Sequence, residues 1–375
     1  MDQRINLANK LKKLDPSKLN MVIGFDGFID EIIHVVDKRY DSENFKRIET
    51  ISQLARRIEN ASGLSTNIEL VSTLKKIGGN GPIMANALSV NNPNITYIGS
   101  LGTKEVNNVF SPMKERMTLY TIAQNGHTDA LEFNDGKLML GKMSSLKDVT
   151  YERMMEVVGF DNMLSLLNQA DLFATVNWSM LPNMTKMYQK MQEKLLPKLT
   201  KKVEKPYMFI DLADPEKRED EEILEVLRVL PGFNEYFKVV LGLNKKEAYE
   251  IAGVLNLFAK EDLKNMQISL QDVTFKLYSA IGIYGIVVHP VDRSSVVIDG
   301  IYYEEEGPFI AKPKLSTGAG DNFNAGFMLG LLLGLSPNEA LLVGMGTSGY
   351  YVRFAKSPNK DSLIQFLIDW SNNRI

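Results

Sequence analysis

Ser316-Thr317-Gly318-Ala319-Gly320-Asp321 leads into an apolar run, Asn322 to Leu335, that predicts one buried helix. Three small residues and a carboxylate at a helix start offer two chemical devices together. The N–H groups of Gly318, Ala319 and Gly320 can converge on an anion, aided by the positive end of the helix dipole. Asp321 then stands beside that anion, able to accept a proton from a group arriving to attack it. Transfer of a phosphoryl group to an alcohol needs this pair. A plain turn in which Asp321 caps the helix uses the same residues, so the rest of the chain has to decide.

Outward from this turn, the chain beyond residue 150 alternates short apolar strands with helical stretches. Strands are expected at 172–176, 207–212, 239–243 and 283–288. Helices are expected near 151–169, 181–198, 219–229, 245–258, 261–281, 321–335 and 337–352. Strands rich in Val, Ile and Phe, each followed by a helix, predict a mostly parallel sheet covered on both faces. Ligands bind such sheets at the carboxyl ends of the strands. The polar residues placed there are Asp26 and Asp30, Asn177, Asp211 and Asp214, Asn244 and His289. Gly326, Gly330 and Gly334, four apart, let the buried helix lie close against the sheet.

The first half reads differently. Strands are expected at 21–25, 31–37, 67–74 and 95–98, with an amphipathic helix over 42–60 and another from Gly78-Gly79-Asn80 through Ala87. Thr118 to Ile122 and Ala130 to Phe133 also read as strands, and Asn134-Asp135-Gly136 as a tight turn into a returning strand. The resulting division is an α/β core of residues 1–30, 72–116 and 144–375, with a small β-rich lid of residues 31–71 and 117–143.

Composition narrows the chemistry. The 375 residues carry 44% hydrophobic and 24% charged side chains, no cysteine, three histidines and a net charge of −3. No basic footprint for nucleic acid is present. Without cysteine there is no thiolate nucleophile and no Cys-ligated metal, which fits a cytoplasmic location. The N-terminus lacks the apolar stretch of a secretory signal, and the Phe323–Leu335 run is shorter than the roughly 20 residues a membrane span takes. A metal here would be a hard cation held by oxygen, magnesium first.

The arrangement resembles the PfkB/ribokinase family of small-molecule kinases over most of the chain. The motifs carrying the resemblance are Gly318-Ala319-Gly320-Asp321, Gly78-Gly79-Asn80 at a helix start, Asp30 beyond the first strand, and Asn244-x-x-Glu247 after a late strand. It implies a ribokinase-like three-layer sandwich with a small β lid. It also implies a Mg2+-dependent kinase that moves the γ-phosphate of ATP to a hydroxyl of a sugar or related alcohol. On this resemblance Gly318, Ala319 and Gly320 cradle the transferring group and Asp321 is the base. Asp30, with Asp26 as its competitor, binds the acceptor together with Gly78, Gly79, Asn80 and Asn177. Asn244, Thr317 and His289 face the nucleotide, and Glu247 helps hold magnesium through water. Asn244 and Glu247 equally fit a helix capping box. The chain departs from the family pattern at Leu315, where an Asp is usual, and at His289–Ser294, which lacks the glycines of the nucleotide loop. These departures keep open a catalytically weak sugar or nucleotide sensor, and the fold also serves nucleoside kinases. A homodimer through the lids is expected from the same resemblance.

Overall fold

The computed structural model describes residues 2–265 and 267–375. Its strands, in chain order, are β1 (Asn20–Phe25), β2 (Phe28–Arg39), β3 (Phe45–Arg47), β4 (Leu70–Gly78), β5 (Asn94–Gly99), β6 (Thr118–Thr121), β7 (Gly126–Phe133), β8 (Gly136–Lys142), β9 (Leu172–Val176), β10 (Tyr207–Asp211), β11 (Lys238–Leu243), β12 (Gly285–Val288), β13 (Arg293–Ile298) and β14 (Ile301–Glu306). A nine-stranded sheet runs in the order β14-β13-β12-β11-β10-β9-β1-β5-β6. Its pairings are parallel from β6 to β12, and β13 and β14 add antiparallel at one edge.

Because side chains alternate across a strand, this sheet feeds two cores. Val22, Phe173, Met208, Ile210 and Leu241 point into a layer with helices Tyr151–Val158, Phe160–Gln169, Asp220–Val229 and Leu270–Ile281. Met21, Ile23, Ala174, Phe209 and Val240 point into the opposite layer, with helices Gln3–Leu11, Asn80–Ser89, Ala319–Leu332, Pro337–Phe354 and Lys360–Ser371. The result is the three-layer α/β sandwich that the alternating pattern predicts. Among the described residues no helix is long and apolar enough to cross a membrane.

The small sheet has the order β3-β2-β7-β8, with β4 also paired to β2. Ile33, Val35, Leu131 and Phe133 bury one part of it against Ile48 and Leu54, the latter on helix Ile51–Glu59. Its membership differs from the expected lid. It begins at Phe28 and takes in Ser72 to Gly78, whereas Thr118–Thr121 pairs with β5 in the large sheet. The helix expected over 42–60 starts only at Ile51, because the Asp41 carboxylate accepts the N–H groups of Glu43 and Asn44 and fixes a turn there. Thr50 and Gln53 then form the capping box that starts the helix.

Other helices are shorter than their apolar periodicity suggests. Gly159, at φ +84°, splits the 151–169 segment, and 261–281 divides into Lys260–Lys264 and Leu270–Ile281. The 181–198 segment keeps α geometry only over Met184–Lys190. The β13–β14 hairpin is an addition to the expected strands; its turn, Asp299-Gly300, has both residues at positive φ.

The glycine stripe has a different partner from the one expected. A Cβ on Gly326 would lie 2.4 Å from Thr347 Oγ1, and one on Gly330 would lie 2.8 Å from the Cα of Ala340. Both neighbours belong to helix Pro337–Phe354, so Gly326 and Gly330 seat helix on helix rather than helix on sheet, whereas Gly334, at φ +75°, lies beyond the helix end with nothing within 4 Å of its Cβ position. Backbone cannot retreat as a side chain can. Gly330→Ala is therefore expected to destabilise the protein by about 1–3 kcal/mol, measured as a lower denaturant midpoint with unchanged slope.

Candidate active site

β1 ends at Phe25 and β2 begins at Phe28, so Asp26-Gly27 is the joint through which the chain leaves the large sheet for the small one. β4 brings the chain back at Gly78, and helix Asn80–Ser89 opens two residues later. Asp26 is completely buried at this joint. Its Oδ2 accepts the N–H of Asn80 at 2.9 Å and Nδ2 of Asn177 at 2.7 Å, while Oδ1 accepts the N–H of Gly81 at 2.9 Å. The Tyr97 hydroxyl donates to its backbone carbonyl at 2.7 Å and lies 3.3 Å from Oδ1. The carboxylate thus caps the Asn80 helix from a different strand, satisfying N–H groups that the helix itself leaves without acceptors. Gly79 makes the approach possible: it has φ +93°, and a Cβ there would stand 2.7 Å from Asp26 Oδ2.

Burial still outweighs these donors and pushes the Asp26 carboxyl up to about 6. Expected as a substrate ligand, Asp26 instead turns inward and holds the joint. Asn177 sits at the end of β9 in a left-handed conformation, φ 66°, which Asn tolerates better than most residues. Its Nδ2 is used on Asp26, and its buried Oδ1 has no hydrogen-bond partner among the described residues.

Asp30 lies on β2 between Lys76 of β4 and Thr128 of β7. Burial raises its carboxyl, and the Lys76 charge and Thr128 hydroxyl oppose the rise. A Cβ on Gly78 would stand 2.3 Å from Asp30 Oδ1, so the glycine clears space for the carboxylate. Lys76, Thr128 and Tyr97 carry no motif and are visible only once the strands are paired.

At the far end of the chain, helix Ala319–Leu332 starts after Gly318, at φ +87°. The turn is clamped by Ala319 N–H to the Ser316 carbonyl at 3.1 Å, by Asn322 Nδ2 to the Gly318 carbonyl at 2.8 Å, and by the Tyr351 hydroxyl to the Thr317 carbonyl at 2.9 Å. The Ala319 N–H is therefore engaged in the turn and not offered to an anion as expected. Gly320 and Asp321 contribute the N–H groups of the first turn, where a helix supplies no acceptor.

Asp321 accepts Nδ2 of Asn80 at 2.9 Å. Burial is the main force lifting its carboxyl to about 8; the Asn80 bond opposes it, and the charges of Asp26 and Glu247 add to it. Asn80, expected beside the acceptor, thus touches the candidate base directly.

Asn244 and Glu247 form the capping box that their spacing allows. Glu247 Oε2 accepts the Asn244 N–H at 2.8 Å, Asn244 Oδ1 accepts the Glu247 N–H at 3.0 Å, and Glu247 Oε1 accepts the Asp214 N–H at 2.9 Å. Asp211 accepts the Ala213 N–H at 2.8 Å and Nδ2 of Asn324 at 2.8 Å. Burial, then Glu247 and Asp321, push the Asp211 carboxyl well up. Each of these oxygens keeps a lone pair after its one hydrogen bond. Buried carboxylates that raise one another, bonded to neutral amides, form a donor set suited to a hydrated divalent cation. The capping box and the cation role are therefore compatible. Asn324, inside an apolar helix, gives no signal in the sequence.

On the other side of the glycine turn lies a cavity of 330 Å³ lined by Asn244, His289, Phe309, Gly320, Phe323 and Val352 among others. His289 packs on Phe323 with ring centroids 4.6 Å apart and the rings tilted by 32°, and burial lowers its pKa to about 4. Its charged form is thereby disfavoured where the ring lines the cavity. Phe309 and Val352 are apolar residues without a motif, and the sequence does not mark them as part of a site. Thr317 is exposed beside this turn.

Comparison with known proteins adds to this geometry. The family model described as Khk, prokaryotic ketohexokinase, matches residues 9–370. A ketohexokinase of Haloferax volcanii is 26% identical over 367 residues, covering 96% of this chain and 95% of that protein. The structure of Arabidopsis thaliana ribokinase complexed with ribose and ATP is similar with a TM-score of 0.62 at 14% identity, covering 94% of this chain and 99% of the other. A Methanocaldococcus jannaschii nucleoside kinase gives a TM-score of 0.59 at 13% identity, with 94% and 99% covered. At such identities these two structures show the shared ribokinase fold, as the motif resemblance implies.

The raised Asp321 carboxyl has a consequence for stability. With its folded pKa, about 8, above its ordinary 3.8, the folded state holds a proton that the unfolded state has lost. Its contribution is present below about pH 4 and is lost as pH rises to about 8. Asp321→Asn, which does not titrate, should gain thermal stability relative to the unsubstituted protein between pH 5 and about 8 and hold a constant difference above that. Melting temperatures across this range check the trend.

Proposed function

The chain belongs to the prokaryotic ketohexokinase family and is an ATP-dependent carbohydrate kinase; we propose that its acceptor is a ketohexose and that Asp321 removes the proton of the attacked hydroxyl. The observation that carries this reading is the position of Asp321. The carboxylate is held by Asn80, which opens the helix behind the acceptor-side strands, while the adjoining Gly320 lines the 330 Å³ cavity. In this reading Asp30, Gly78, Gly79 and Asn177 surround the sugar, and Asp26 positions them without touching it.

The nucleotide occupies the cavity, its base against Phe309, Phe323 and Val352. Asn244, His289 and Thr317 stand along its path. The first-turn N–H groups of Gly320 and Asp321, at the positive end of the helix, stabilise charge on the transferring group. Glu247 and Asp211 would hold a magnesium ion through water. When bound, that ion would neutralise charge on the donor phosphates.

The small sheet acts as a lid that keeps water from competing as nucleophile. Leu74, Met139 and Leu140 are exposed on it, and a second copy covering them would give a dimer through the lids. The ketohexokinase match favours a sugar over a nucleoside as acceptor. It also weighs against a catalytically weak sugar or nucleotide sensor.

An acceptor panel of ketohexoses, aldoses and nucleosides with Mg-ATP should give its highest kcat/KM with a ketohexose. Preference for a nucleoside would overturn the acceptor assignment, and sugar-induced thermal stabilisation with no ATP turnover would favour the sensor. Asp321→Asn should lower kcat by roughly 10²–10⁴; a loss below about tenfold would contradict its role as base. Asn80→Ala removes the bond that lowers the Asp321 pKa. The rising limb of kcat/KM against pH should therefore move to higher pH in that variant.

A further inference from the structure

On the small sheet, β2 and β7 run parallel with Glu31 directly opposite Asp129, and His127 two residues before Asp129 on the same strand. Side chains two apart on a strand share a face, so these three project together, on the face opposite Asp30 and Thr128. One imidazole nitrogen, His127 Nε2, lies 2.9 Å from Asp129 Oδ1 and 3.1 Å from Glu31 Oε2. The three ligand atoms lie within 4.8 Å of one another. We propose that Glu31, His127 and Asp129 bind a divalent transition-metal cation of the zinc or manganese class.

Hydrogen bonding alone explains the arrangement poorly, since one N–H points well at only one acceptor. The two distances from His127 Nε2 are instead close to those between ligands on a shared ion, where bonds of about 2.1 Å put neighbouring donor atoms about 3.0 to 3.4 Å apart, from octahedral to tetrahedral angles; the two carboxylate oxygens lie within 4.8 Å of each other. One imidazole with two carboxylates suits zinc or manganese better than magnesium, which prefers oxygen and water.

The surrounding charges permit the ion. Lys142 Nζ bonds Asp129 through Oδ2, at 2.6 Å, leaving Oδ1 to the metal and orienting the carboxylate. Lys75 lies 3.5 Å from Glu31 Oε2, and its side chain is 56% exposed, free to swing away. The three ligands are themselves partly exposed, at 15% to 26%, which leaves water access to the remaining coordination positions. A cation here would tie β2 to β7 directly behind Asp30 and Thr128. The site is independent of any magnesium near Glu247, which belongs to a different sheet end.

Calorimetric titration of the metal-free full chain with Zn2+, and visible spectroscopy with Co2+ as a probe, test the assignment. A single saturable site is expected. It should weaken at least about tenfold in His127→Ala and in Asp129→Asn, as loss of even supporting partners typically does. Asp321→Asn should bind as the unsubstituted protein does. Circular dichroism establishes that each variant folds; if His127→Ala does not, Asp129→Asn and Glu31→Gln carry the comparison. Absence of saturable binding, or equal affinity in the folded ligand variants, would overturn the proposal.

Discussion

Asp321 is a carboxylate that the fold buries more thoroughly than it compensates, and its one side-chain donor among the described residues, Asn80, comes from 241 residues earlier in the chain. That bond joins two segments far apart in the chain. Asn80 is in place because Asp26 accepts its N–H, and Asp26 can reach it because glycine stands at position 79. Asp26 in turn lies at the exit from the large sheet to the small one. A continuous set of contacts therefore runs from the joint between the sheets to the candidate base.

The electrostatics follow from the same geometry. Asp26, Asp211, Glu247 and Asp321 are all buried, and all have raised pKa values whose first cause is burial. Their side-chain donors, where they have them, include Asn80, Asn177 and Asn324, which are neutral amides. Lysines or arginines in those places would lower the pKa values and quench the field. Amides orient the carboxylates and leave the field negative, which fits the proposed roles of cation site and base. Buried charge without a partner is costly in the free protein, and the cost falls at the place where the chemistry would occur.

Much of this is legible in the sequence, because the central strands are buried on both faces and read as continuous apolar runs. The glycine turn, Asp30, Asn80, Asn244 and Glu247 stand at element ends, where polar residues are conspicuous. The small sheet is less legible. β4 runs from Leu70 to Gly78 with mostly exposed side chains, so its pairing with β2 is set by tertiary register rather than hydrophobic pattern. The β13–β14 hairpin did carry a signal, Asp299-Gly300 between Val296-Val297-Ile298 and Ile301-Tyr302-Tyr303, the residues a tight hairpin turn favours. The cavity beside the glycine turn is legible only in part: Asn244, His289 and Gly320 stand at element ends, whereas Phe309, Phe323 and Val352 are apolar side chains from segments far apart in the chain. Asp26 shows a further limit: a sequence places two carboxylates near one strand end but does not say which faces the ligand.

The central claim, that burial beside other carboxylates holds Asp321 near neutrality as a base, is tested most directly by titrating its side-chain carboxyl. In 13C-carboxyl NMR of the labelled protein, the resonance lost in Asp321→Asn identifies the group. The account predicts a midpoint near 8 in the ligand-free protein. A midpoint at the ordinary aspartate value, about 4, would contradict it.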